Sequence, residues 1–292
     1  MVRDGTKRQD TCQKRRRAEG IAMTALIYLV LVTGSGVVLT PFLWMLSTSL
    51  KSYDQVVTPR IVWLPRPVVW SNYARALEFI PFWRYLGNTA LVTSTCVIGA
   101  LSASALVAYG FAKLRAPGRD ALFGVLLASM MLPGQVTMIP VFVLFQKLGW
   151  YNSLKALTIP AFLGGGAFNV FLLRQFYMTI PNELCDAAKI DGCSNFGILL
   201  RVVAPLSKPA LTAVGVFIFV ANWTDFFSPL IYLSDQERYT LALGLRLFQS
   251  LHSTEYSLLM AASIVFSLPI LIIFFAAQRY FIEGVTLTGM KG

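Results

Sequence analysis

The chain has 292 residues, of which 56% are hydrophobic and only 13% charged, about half the charged share of an ordinary soluble domain. That balance excludes an intrinsically disordered chain, which needs low hydrophobicity and high charge. With a mean hydropathy of +0.63, it also argues against a soluble enzyme, because one core cannot hide so much apolar surface. Bilayer hydrocarbon accepts the excess, and at about 20 residues per spanning helix the length accommodates six spans and their loops.

The net charge of +11 admits nucleic acid or anionic lipid as a partner. Nucleic-acid binding needs cations on a soluble face with aromatics between them. The densest basic run, Lys14-Arg15-Arg16-Arg17, instead stands directly ahead of an apolar stretch. It reads as a membrane-orientation signal, and no nucleic-acid partner is expected. Cys12, Cys96, Cys185 and Cys193 show neither CxxC nor zinc spacing, and the single histidine, His252, excludes a His-rich metal site.

In chain order, apolar blocks fall at 21–50, 85–111, 121–146, 156–173, 209–233 and 259–278. The first is too long for the core of a signal peptide and is expected to be a retained span, kinked by Gly34-Ser35-Gly36 and Pro41. The loop 51–84 carries Pro59, Pro65, Pro67 and Pro81 with Trp63, Trp70 and Trp83, a composition suited to the membrane–water interface. Two further long loops lie at 174–208 and 234–258. The seven cations within residues 1–20 place the N-terminus inside. The C-terminus, the 112–120 loop and the 174–208 segment follow to the same side. The expected organisation is a basic cytoplasmic segment, 1–20, followed by an all-α, six-helix membrane domain, 21–292.

Residues 181–209, PNELCDAAKIDGCSNFGILLRVVAPLSKP, carry the clearest local signals. Pro181-Asn182 starts a helix, with Asn182 able to cap it and Glu183 near the positive end. Leu184, Ala187, Ala188 and Asp191 recur at helical spacing and predict one compact face. Asp191-Gly192 stops the helix, since glycine tolerates the left-handed conformation there. Ser194 caps a second helix, Asn195 to Val203, and Pro205 and Pro209 close the segment. From periodicity alone this element is either a surface-lying amphipathic helix pair or a docking element for a partner.

This segment resembles the EAA loop of ABC-transporter permeases, whose core is Glu-Ala-Ala, three residues, then Gly. The matching residues are Asp186, Ala187, Ala188 and Gly192. Asp186 stands where the family usually has Glu, and Cys193 replaces a common Ala. Asn88-Thr89 resembles the permease signature early in the second span. Ala108 to Arg119, AYGFAKLRAPGR, resembles the first cytoplasmic loop of carbohydrate-uptake permeases. Met131-Leu132-Pro133 and Ile139-Pro140 fit the third span, and Asn222-Trp223-Thr224-Asp225-Phe226 the fifth. The tail Gly284 to Gly292, GVTLTGMKG, is similar to that of maltose-type second permease subunits.

The resemblance implies the six-helix type I ABC importer permease fold in a bacterial or archaeal cell membrane. It implies a second homologous permease, two cytoplasmic ATPase subunits, and an extracellular solute-binding protein that delivers a sugar or sugar-like solute. Asp186, Ala187, Ala188, Asp191 and Gly192 would form the coupling element seated on an ATPase. ATP and Mg would be bound by the ATPase partners, with no cofactor, metal or catalytic residue in this chain. The residues agree on one point: no GxxxxGK[ST] phosphate loop occurs, and the only Lys followed by Ser or Thr, Lys51, is preceded by Leu50.

Three rival readings remain. A gradient-driven transporter places ionisable groups inside the membrane, and the six blocks hold one, Asp225. A membrane enzyme wants paired carboxylates or a His/Asp cluster, and a purely structural subunit needs neither. For contact with a passing sugar, Asn222, Trp223, Asp225 and Phe226 offer amide, carboxylate and aromatic groups, with Phe227 adjacent. The particular sugar is not legible.

Overall fold

The computed structural model describes residues 3–249 and 254–289, with side chains described for Gly20, 23–249 and 254–279. Lys14 to Arg17, Cys12, His252 and the tail beyond 289 lie outside the described residues or side chains. The described residues are mostly helical, and among them the β structure is one isolated bridge, Gln249 to Thr254. Four helices are long and apolar enough to cross a membrane: Met23–Ser49, Phe82–Lys113, Lys155–Thr179 and Tyr256–Arg279. Two bent pairs raise the number to six if each pair is one span.

Helix α1 (Arg3–Ser49) joins the basic segment and the first span without a break and continues past Pro41. Its apolar surface is exposed, Val32, Val37 and Val38 among it, as a helix needs when lipid or a second protein is its solvent. Its end is pinned by Asn72, whose Nδ2 donates to the Ser49 and Lys51 carbonyls at 2.9 and 2.8 Å. Lys51 is buried with its ammonium 3.9 Å from the centre of the Trp44 ring, and burial lowers its pKa. Trp63 and Trp70 are exposed in the segment that follows, and Trp83 is exposed in the first turn of the next helix, Phe82–Lys113.

Helix α2 (Phe82–Lys113) is central and packs on most of the other spans. Small residues let them approach: Gly99, Ala100, Ser104 and Ala108 are buried along it. Asn88 and Thr89 have a definite task. Asn88 Nδ2 donates to the Glu237 and Tyr239 carbonyls, and Thr89 Oγ1 accepts from the Leu241 N–H at 2.7 Å. The pair therefore ties the 236–244 loop to α2.

The third predicted span is bent. Helices α3 (Arg119–Ser129) and α4 (Gly134–Lys147) meet at 97°. Pro133 supplies the reason: it has no N–H for the helix ladder and disfavours helical backbone at Leu132. The fourth span is interrupted too. After Lys155–Thr158 and a 3₁₀ turn at Ile159–Phe162, Gly164, Gly165 and Gly166 all take positive φ before α5 (Ala167–Thr179) resumes.

Helices α6 (Asn182–Ile190) and α7 (Asn195–Leu206) follow on the same face as the 112–119 loop. Helix α7 contains a π turn at Leu199–Val203. Helix α8 (Lys208–Trp223) leaves α7 at 87°. Short α9 (Phe227–Tyr232) and long α10 (Tyr256–Gly289) complete the chain. A core cluster joins Ala108, Tyr109, Leu173, Tyr177, Cys185, Ala188, Ile198 and Val214. It fuses the 181–209 segment to α2, α5 and α8 rather than leaving it as a surface loop.

Candidate functional site

The 181–209 segment departs from its predicted details in four ways. Pro181 takes the N-cap position with extended backbone, so Asn182 becomes the first helical residue and does not cap. Its Oδ1 accepts instead from Lys113 Nζ at 2.9 Å, and the same ammonium donates to the Ile180 carbonyl at 2.5 Å. The expected single face is divided. Cys185 and Ala188, three residues apart, are buried against the spans, while Leu184, Ala187 and Asp191 lie on the exposed side. Pro205 does not close the segment but sits inside α7. The π turn lets the Ala204 N–H donate to Leu199 O, and the proline needs no donor of its own. Pro209 falls in the first turn of α8, where a missing N–H costs nothing.

The corner itself is as predicted. Gly192 has φ +81°. Its N–H donates to Lys189 O at 3.0 Å, and the Cys193 N–H donates to Ala188 O at 2.9 Å. These are the paired bonds of a Schellman cap, which satisfies carbonyls that a helix end leaves free. Ser194 Oγ then accepts from the Gly197 N–H at 3.2 Å, capping α7 as its sequence predicts. On the exposed side Asp186 pairs with Lys189 at 3.5 Å, with both side chains more than half exposed. Such a pair contributes little to stability and leaves Asp186 available. Ile190 stands out at 87% exposure, an apolar side chain beside a rigid corner with nothing of its own chain over it. Sequence reasoning passed over Ile190 and Lys113. Ile190 breaks the apolar periodicity that was followed, and Lys113 lies 69 residues from its partner Asn182.

The residues of the fifth-span motif separate. Asn222 lines a cavity of about 690 Å³ between α2, the broken fourth span and α8. Trp223 does not reach it: its Nε1 donates to the Phe266 carbonyl at 3.0 Å, and its ring stacks on Phe219 and Phe266. Asp225 lies in the non-helical link between α8 and α9 rather than inside a helical span. Its Oδ1 accepts from the Phe227 and Ser228 N–H groups at 3.0 and 3.1 Å. A carboxylate there satisfies two of the free donors of α9. Phe226 is partly exposed and does not line the cavity.

The same cavity brings in residues that the sequence left unmarked. Phe168 and Phe217 line it with ring centroids 6.4 Å apart. Asn169 and Asn222 each spend Nδ2 on the carbonyl four residues back, Gly165 O at 2.7 Å and Ile218 O at 2.8 Å. Both amide orientations are thereby fixed, and each Oδ1 remains as an acceptor. Irregular backbone at membrane depth is tolerated where it is buried in protein or lines a cavity, and Gly165 and Gly166 do line this one. Three consecutive glycines inside an apolar block were the available signal. Among the described residues no group of three His, Cys, Asp or Glu side chains is placed to hold a metal ion.

Residues 96–286 match the family described as the binding-protein-dependent transport system inner membrane component. The chain belongs to this family. Its members are transport components rather than enzymes, and this permease shares their multi-pass membrane architecture. It is 35% identical to the arabinooligosaccharides transport system permease protein AraQ of Halalkalibacterium halodurans, over 72% of this chain and 75% of that one. It is 30% identical to the sulfoquinovosyl glycerol transport system permease protein SmoH of Agrobacterium fabrum, over 90% and 91%. Among solved structures it resembles a chain of a bacterial ABC transporter involved in the import of the acidic polysaccharide alginate. The TM-score is 0.77 and the identity 25%, with 91% of this chain and 97% of that one covered.

Proposed function

We propose that this permease is one half of the membrane channel of an ATP-driven importer, and that it carries a sugar or sugar-like solute handed over by an extracellular solute-binding protein. The related permeases whose names specify a substrate serve saccharides or a sugar glycoside, which supports that substrate class. On this reading a second homologous permease completes the channel, and two ATPase subunits bind the ATP and Mg. Both termini, the 112–119 loop and the 181–209 segment face the cytoplasm. The protein resides in a bacterial or archaeal cell membrane.

The observation that carries the coupling part is the division of α6 into two faces. Cys185 and Ala188 are locked into the core of the spans, and Leu184, Ala187, Ile190 and Asp191 are left outward beside the Gly192 corner. A helix built this way moves with the spans while its other side seats in a partner's groove. Asp186, with one exposed and weakly held carboxylate, fits an arginine of the ATPase. Within the channel, the Phe168 and Phe217 rings offer faces for sugar rings, and the Oδ1 atoms of Asn169 and Asn222 accept from hydroxyl groups.

The test is reconstitution of all subunits in proteoliposomes. Ala187→Trp should abolish uptake and the stimulation of ATP hydrolysis by the binding protein, while the permease remains in the membrane. Normal uptake with Trp at 187 would end the coupling assignment. Sidedness has a separate test: Cys193 is half-buried and Cys185 is buried, so an impermeant thiol reagent should label Cys193 in inverted vesicles and not in intact cells.

A further inference from the structure

In the AYGFAKLRAPGR motif, Ala108 to Arg119, Lys113 holds the start of α6, while Arg115 and Arg119 have no task in the transport reading. The motif forms one wall of a basin of about 690 Å³ whose other wall is the 181–209 segment. Lys113, Arg115, Arg119 and Lys189 line this basin against a single carboxylate, Asp186. We propose that the basin is a binding site for the phosphodiester headgroup of an anionic phospholipid.

Two of the four cations, Lys113 and Arg115, have no carboxylate partner among the described residues. Lys113 is held by two neutral acceptors, the Ile180 carbonyl and Asn182 Oδ1, so its position is fixed and its charge is not cancelled. Arg119 is paired with Asp120 at 2.9 Å and gives Nη1 to the Leu114 carbonyl at 3.2 Å. Lys189 stands 3.5 Å from Asp186, a long contact for a charge pair. Arg115 is exposed and makes no hydrogen bond or ion pair among the described residues. A phosphate oxygen supplies what these donors lack, and Asn182 and Asn195 on the rim can bond its ester oxygens or glycerol hydroxyls.

Position selects lipid over other anions. Lys113 ends the spanning helix α2, and Arg119 begins α3, so the basin opens where chain leaves and re-enters hydrocarbon. Basic pockets between helix ends at that level suit anionic headgroups. Exposed apolar side chains follow the basin residues closely in sequence: Leu122 and Val125 on α3 after Arg119, and Phe196 after Asn195. They suit acyl chains, and neither a free phosphate nor an acidic protein segment would need them. This inference rests on membership of the membrane family and is independent of the solute; it shares Asp186 and Lys189 with α6, so the test is run with and without the partner subunits.

The full-length permease is placed in phosphatidylcholine bilayers containing a minor fraction of phosphatidylglycerol, with and without its partner subunits. The lipid retained through mild extraction is quantified by mass spectrometry. Wild-type protein should retain phosphatidylglycerol in excess of its bulk share. Each interfacial cation contributes about fivefold to such retention, so Arg115→Gln with Arg119→Gln should cut the enrichment by roughly 25-fold. Lys147→Gln with Lys155→Gln, remote from the basin, should leave it unchanged. Arg115→Glu alone serves if the Arg119 change disturbs folding, because Arg115 holds nothing in place. Equal enrichment in wild type and basin variants would overturn the proposal. So would displacement of the lipid by inorganic phosphate, which assigns the basin to a soluble anion. Loss of the lipid whenever the ATPase subunits assemble would assign it to a protein carboxylate instead.

Discussion

Gly165 and Gly192 share a backbone conformation, φ +72° and +81°, yet their surroundings are opposite. Gly165 lies within the fourth span, where a Cβ would stand 2.4 Å from the Ser104 nitrogen and 2.5 Å from the Ala100 carbonyl oxygen of α2. Gly192 lies at the corner of the 181–209 segment, where a Cβ would meet nothing within 4 Å. The first glycine is demanded by packing as well as by φ, and the second by φ alone. The interior break is therefore built for close approach of two spans around a cavity. The outer corner is closed by its own backbone bonds and its outer side is left clear, which agrees with the proposed seat on a partner.

Substitution at the two glycines separates these demands, and the largest effect is expected at Gly165. Left-handed backbone costs a non-glycine residue about 1–2 kcal/mol. Overpacking against atoms that cannot rotate away adds about 1–3 kcal/mol. Gly165→Ala should therefore remove most folded protein from the membrane, measured as the fraction that stays monodisperse after extraction. Full recovery of a stable Gly165→Ala protein would mean that α2 and the glycine run do not approach as described.

Lys113→Met comes next. It deletes both bonds that tie the end of α2 to the start of α6 and leaves the Ile180 carbonyl and Asn182 Oδ1 without their donor. Hydrogen bonds from a charged donor contribute about 1.5–3 kcal/mol. Water replaces the donor at exposed Asn182, so the stability loss should be that of the part-buried Ile180 bond and fall in that range. The functional loss should exceed it, because α2 would no longer carry α6 with it. In the reconstituted importer, stimulation of ATP hydrolysis by the binding protein should fall, with Lys113→Arg restoring part of it. A variant that loses stability but keeps full stimulation would reduce Lys113 to a packing residue.

Gly192→Ala should cost only the left-handed strain, about 1–2 kcal/mol, and Gly192→Asn less, since Asn tolerates that region. Denaturant titration of the extracted protein would show the order Gly, Asn, Ala. If Ala at 192 proved as damaging as Ala at 165, the open setting of the corner would be wrong.

These contrasts also explain what was legible beforehand. The Gly192 corner and the Ser194 cap were readable because both are local: each turn is set by residues within five positions of it. The two faces of α6 were not, because Leu184, Ala187 and Ala188 share helical spacing and only contact with α2 and α5 decides which is buried. The cavity was half readable. Asn222 was found through its motif. Phe168, Asn169 and Phe217 drew no attention because each is unremarkable in an apolar block until the fold joins α5 to α8. Hydropathy also gave six blocks without revealing that Pro133 bends one of them and that Thr224 to Phe226 end another.

Asp225 belongs to the same contrast, as a local device at a break in a helix, and the smallest effect is expected there. It is the only carboxylate in the apolar blocks, which gave it apparent weight as a functional charge. Its Oδ1 instead accepts two backbone N–H groups at the start of α9. Asn presents the same carbonyl geometry, so Asp225→Asn should keep both bonds and lose only their charge assistance and the favourable field of the helix end, about 0.3–1 kcal/mol. Asp225→Ala loses the cap outright, at about 0.5–2 kcal/mol. Uptake should follow that order, slightly reduced for Asn and more for Ala. In both variants it should depend on ATP and be indifferent to a protonophore at fixed ATP. A titrating role predicts the reverse pattern, with Asn as damaging as Ala because neither binds a proton. Equal losses in the two variants, with wild-type uptake collapsing under the protonophore, would therefore remove Asp225 from the caps and place it in a proton path.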